Sequence, residues 1–167
     1  MSLSMYQASL PNFIRTLDNL QKILDKAVAF ADGKKIEHSV LLNARLAPDM
    51  FAFTRQVQIA SDAVKGCAAR LAGVEIPSYA DTESTFPELK ARIQKTVDFL
   101  KSFTPAQIDG SEQKDVVLKI GGKETPFKGQ DYLFGFVIPH FYFHVTTAYD
   151  ILRHNGVELS KKDYLGL

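Results

Sequence analysis

A single cysteine, Cys67, stands in the whole sequence. It excludes an intrachain disulfide and a cysteine-rich zinc site, and it fits a reducing, cytoplasmic setting. Excess charge of one sign is also lacking, since 20 Lys and Arg face 19 Asp and Glu for a net charge of +1. Without a strong field, neither nucleic acid nor an anionic membrane surface is an expected partner. Residues 1–7 have neither the basic stretch nor the apolar run of a secretory leader. An uninterrupted membrane span is missing as well. The uncharged, Phe-rich run over residues 132–149 comes closest, but Gly135, Pro139, His140 and His144 interrupt it. Such a run reads as a helix central in a bundle or buried in a dimer. Histidine is scarce: there are 4, and His140, His144 and His154 all lie in the last segment.

What the sequence does contain is helical periodicity across one domain, residues 1–167. Tyr6, Leu10, Phe13, Leu17, Leu20, Leu24, Ala27 and Ala31 alternate steps of four and three, the seam of a bundle helix. Pro11 marks a start or a bend, and Asp32-Gly33 marks the end. A short lead-in helix is expected over residues 39–46. A second long helix is expected after Ala47, with Pro48 and Asp49 as start signals. Its seam of Met50, Thr54, Val57, Ser61, Val64, Ala68 and Leu71 is flanked by small residues, and Gly73 is its stop.

Residues 73–84 carry no helical pattern and, extended, could span on the order of 40 Å, the length of a bundle. A third helix starts at Thr85, where Glu88 completes a capping box, and turns Leu89, Ile93, Thr96, Val97 and Leu100 inward. The period then changes to two. Val116, Leu118 and Ile120, the pair Gly121-Gly122 and a return over residues 125–127 predict a small β-hairpin, with Pro126 on an edge. The last helix is predicted from about Gln130 to His154, with Gly156 as its cap. The expected class is all-α, four helices plus a hairpin between the third and fourth.

On that last helix Leu133, Val137, His140, His144, Thr147, Ile151 and His154 share one stripe. His140 and His144, four residues apart, can aim two imidazoles at one point, a spacing that helical metal sites use. Neutral imidazole suits zinc or nickel, and a catalytic site needs about three protein donors. His154 lies near 15 Å farther along the helix, too far to share that point. The third-donor candidates are Asp62 and Gln58, an i, i+4 pair on the second helix, with Gln56 close by. The competing reading makes His140 and His144 core residues hydrogen-bonded to the facing helix. Cys67 reads as packing among alanines, and Phe141, Tyr142 and Phe143 as an aromatic collar in the core or at a dimer contact.

Residues 140–157, HFYFHVTTAYDILRHNGV, resemble an uncharacterised bacterial family of the DinB/YfiT-like superfamily. The stretches MYQASLPNF (residues 5–13) and DMF…QVQ (residues 49–58) add to the likeness. The resemblance implies a four-helix bundle of up-down-down-up order, often a homodimer. It also implies a divalent metal held by three histidines, one on the second helix and a pair on the fourth. The pair maps to His140 and His144, while the second helix here has no histidine. Metal-dependent relatives include thiol transferases and a mycothiol-dependent isomerase. The expected function is thus a DinB-like bundle that binds a small ligand or serves structurally, with an incomplete metal site. The alternative is a divalent-metal-dependent transferase acting with a low-molecular-weight thiol.

Overall fold

The computed structural model describes residues 3–167; the reading of Met1 and Ser2 as part of a leaderless start lies outside them. Among the described residues the chain is mostly helical, with one small antiparallel hairpin. Four helices are long: α2 (Leu10–Lys34), α4 (Phe53–Ala72), α5 (Phe86–Lys101) and α8 (Ile138–His154). Five short ones punctuate them: α1 (Met5–Ala8), α3 (His38–Leu42), α6 (Pro105–Ile108), α7 (Gly129–Asp131) and α9 (Lys161–Leu165). The core lies where α4 packs on α8 and α5, and α5 packs on α2. The predicted seam of α2 is buried from Leu10 to Ala31, and Phe13 meets Phe141 of α8 edge-on with centroids 5.1 Å apart. No helix of the described residues is long and apolar enough to cross a membrane.

Helix ends follow local chemistry, and three differ from the periodic pattern. Tyr6 belongs to α1, because Ser9 (φ −120°, ψ −85°) breaks the helix and Pro11 occupies the first turn of α2. At the other end of α2 the chain passes Gly33, and Lys35 takes the left-handed conformation, φ 56°. The Ile36 amide donates to the Ala31 carbonyl at 2.8 Å, the long bond of a Schellman-type stop. The third difference is the start of α4 at Phe53, later than Met50. Pro48 and Asp49 serve a turn instead, closed by the Met50 amide on the Ala47 carbonyl at 3.0 Å, with proline where such turns favour it.

The lead-in helix expected over residues 39–46 is the shorter α3, which ends at Leu42; the other signals hold. Gly73 caps α4 at φ 76°, and Thr85 with Glu88 forms the capping box of α5. Strands β1 (Asp115–Ile120) and β2 (Lys123–Lys128) pair antiparallel, Val117 opposite Pro126. Gly121 and Gly122 both have positive φ, as a tight two-residue turn requires. Gly156 (φ 99°) follows α8.

The last helical stretch is continuous from Gly129 to His154, but its Tyr132–Val137 portion is π-helical. Pro139 supplies the reason. It lacks an N–H, and its ring crowds the carbonyl one turn back, so widening the preceding turn relieves a clash that a regular helix would carry.

Candidate functional site

The facing surfaces of α4 and α8 bound a cleft of about 290 Å³, closed on one side by the end of β1. Its walls include Ile59, Ala63, Leu118, Phe136 and Val137, and its polar groups include Arg55, Asp62, Arg70, Tyr132 and His140.

One edge is a ladder of rings at steps of four: Tyr132, Phe136, His140 and His144. Tyr132 and Phe136 stack with centroids 6.2 Å apart, and Phe136 and His140 with centroids 5.2 Å apart. His140 then meets His144 edge-on at 4.6 Å. The helix thus brings together the two histidines of the predicted stripe, as their spacing requires. His144 is buried, and His140 is half-buried at the cleft.

The facing helix fixes the chemical state of His144. Gln56 donates its amide Nε2 to the Phe51 carbonyl at 3.0 Å, which turns its Oε1 toward the imidazole. His144 Nδ1 lies 2.6 Å from that oxygen, and an oxygen acceptor there calls for a protonated Nδ1. The Nε2 lone pair is therefore free. Burial, then the neighbouring His140 and Arg55, push the His144 pKa down to about 4. Burial also holds His140 below the ordinary imidazole range. Both rings are neutral at pH 7.

Asp62 and Gln58 are engaged elsewhere. Asp62 pairs with Arg92 at 2.9 Å and with Lys65 at 2.7 Å. Gln58 donates to Glu83 at 2.9 Å and accepts from Arg55 at 3.2 Å. Both belong to a network around the Arg92 guanidinium, whose side chain is 2% exposed and which also binds Asp81 at 2.7 Å and Glu83 at 3.0 Å. Burial opposes ionisation of Asp81 and Glu83. Even so, hydrogen bonds from Arg55 and Arg92 to Asp81 lower its pKa, and those from the backbone, Arg92 and Gln58 lower that of Glu83. Among the described residues, no group of three or more His, Cys, Asp or Glu side chains is placed to hold a metal ion. His140 and His144 supply two neutral nitrogen donors, and the set is not completed.

Of the other singled-out residues, His154 is exposed at the end of α8. Cys67 is fully buried, and burial raises its pKa to about 12. Phe141 of the collar is in the core, whereas Phe143 is 55% exposed. The sequence reading passed over Arg70, Tyr132, Phe136 and Arg92 as site residues. The first three had a usable signal: Tyr132 and Phe136 extend the step of four from His140, and Arg70 follows Gly66 by one helical turn. Arg92 had none, since two of its carboxylate partners, Asp81 and Glu83, come from the irregular residues 73–84, and only Asp62 comes from a helix.

The sequence profile of the family described as Domain of unknown function (DUF1993) matches residues 5–165. The chain belongs to this family. The chain resembles, in both sequence and fold, a crystal structure of a DinB family member protein from Shewanella denitrificans. Identity is 43%, the TM-score is 0.87, and the match covers 97% of this chain and 92% of that one. No curated protein matches the chain.

Proposed function

We propose that this DUF1993 chain is a small-ligand-binding bundle, with the cleft between α4 and α8 as its site and His140–His144 as an incomplete metal site. The carrying observation is the ring ladder. It lines a cavity of about 290 Å³, near the lower end of small-molecule pockets, with a few convergent polar groups on otherwise apolar walls. His140 offers a neutral imidazole at the cavity wall, and His144 behind it is locked by Gln56. In this reading the long helices follow the up-down-down-up order. The extended residues 73–84 support it, because a crossover of that length lets α4 and α5 run the same way.

A divalent-metal-dependent transferase using a low-molecular-weight thiol is favoured by one observation. The Gln56 contact presents a bare Nε2 on His144, as outer hydrogen bonds do for metal-ligating histidines. The donor set argues against it. Asp62 and Gln58 would each have to leave an established partner. The homodimer implied by the resemblance belongs to the same proposal, with exposed Phe134 and Phe143 as apolar surface for it.

The test is a chemical-shift titration with neutral aromatic fragments, indole and 2-phenylethanol. Shifts confined to Ile59, Ala63, Phe136, Val137 and His140, abolished by Ala63→Trp, are expected. Shifts scattered over the surface, or none, would count against the cleft as a binding site.

A further inference from the structure

Among the described residues, two cations that line the cleft, Arg70 of α4 and Lys119, make no ion pair, and of the two only Arg70 is half-buried. Its single side-chain bond is to the Tyr132 hydroxyl, 3.1 Å away. The remaining cations near the cleft are paired. Arg55 is satisfied by Asp81 at 2.7 Å, and Lys65 and Arg92 are held by Asp62. Asp62 lines the cleft and is ion-paired with those two cations, although its buried Oδ1 accepts no hydrogen bond among the described residues.

Two features hold the Arg70 guanidinium in place. Gly66 lies one turn earlier on the same face of α4, and a Cβ there would overlap a terminal nitrogen of Arg70. The missing side chain therefore lets the guanidinium lie along the helix. The Tyr132 hydroxyl accepts from that same nitrogen, 3.1 Å away. Neither titratable neighbour neutralises it: burial pushes both Cys67 and Tyr132 up to about 12, so thiol and phenol stay protonated at pH 7. Lys119 of β1 adds positive charge on the opposite wall. A half-buried guanidinium with most of its donors unused is suited to a planar, two-oxygen anion.

Next to this cation runs the ladder. Tyr132, Phe136 and His140 turn their faces to one another, which leaves ring edges for the cleft. Ring edges carry the positive rim of the quadrupole and favour the face of an aromatic ligand. We propose that the cleft takes a small aryl carboxylate, with Arg70 pairing with its carboxylate and the aromatic body lying against Phe136 and His140. Gly66 and Tyr132 act as positioning residues for Arg70. The inference rests on the small-ligand reading above and names its ligand class.

The experiment compares phenylacetate, its neutral counterpart 2-phenylethanol and the dianion phenyl phosphate, by NMR titration of the full chain. Phenylacetate is expected to bind about 10- to 100-fold more tightly than the alcohol, the usual worth of a charge-assisted pair. Arg70→Gln should remove that preference, weakening phenylacetate far more than the alcohol. Gly66→Ala retains the charge but displaces the guanidinium. It should weaken phenylacetate alone, while thermal stability holds or rises because alanine favours the helix. Equal affinity for acid and alcohol in the unaltered protein, or a preference that survives Arg70→Gln, would overturn the carboxylate assignment while the cleft reading stands. Tighter binding of phenyl phosphate than of phenylacetate would overturn it in favour of phosphate. Binding of none of the three would remove both the assignment and the cleft reading.

Discussion

At the residue scale the most constrained charge is Arg92. Its side chain is 2% exposed and faces Asp62, Asp81 and Glu83, and the Tyr79 ring lies 4.9 Å away. Tyr79 also receives Lys65 at 3.8 Å and Lys95 at 4.4 Å, so the crossover over residues 73–84 is strapped to α4 and α5 by charge and ring together. Removing one partner of such a cluster strands the others. Arg92→Met should therefore cost about 3–5 kcal/mol in urea unfolding. The sign of the pH dependence follows from the lowered pKa values of Asp81 and Glu83. Their stabilisation is fully present above their unfolded values and is lost as pH falls through the folded ones. Arg92→Met should flatten that acid limb, and an unchanged limb would mean the carboxylates draw little from Arg92. The sequence placed Leu89, Ile93 and Thr96 on the inward face correctly, and Arg92 sits between them. Its burial was not legible there, because it depends on how residues 81 and 83 fold back.

At the element scale the last helical stretch shows what periodicity reads and what it misses. The span, the cap at Gly156 and most of the inward stripe were visible, because burial imposes them directly: Leu133, Val137, His144, Thr147 and Ile151 are buried, whereas His140 is half-buried and His154 is exposed. The π-helical turn was not. It arises from Pro139 acting on the turn before it, and a stripe with steps of three and four has no way to register a widened turn. Widening also carries Tyr132 and Phe136 into line with His140, so the ladder depends on the proline. Gly135 sits in this turn without a positive φ, and a Cβ there meets nothing within 4 Å. Gly135→Ala should raise stability by roughly 0.5–1 kcal/mol, read as a higher melting temperature. A lower one would mean that the π-helical turn needs the freedom of glycine.

For the whole molecule, the mostly helical class and the small hairpin followed from patterns that packing enforces. The family resemblance is upheld by the DUF1993 match and by the likeness to the DinB family member structure. The site was legible only as two histidines. Spacing brought His140 and His144 together, but it could not say that Gln56 would lock one of them. Nor could it say that Asp62 and Gln58 would turn to Arg92 and Glu83. Those outcomes depend on which charges α5 and residues 81–83 bring to α4. The proposed ligand cleft has His140 on its wall and His144 behind it, and no third metal donor joins them among the described residues. Metal analysis of purified protein after incubation with zinc or nickel, beside His144→Ala, tests this account most directly. Substoichiometric metal, equal in the two proteins, is the predicted result. One metal ion per chain, lost in His144→Ala, would contradict the account.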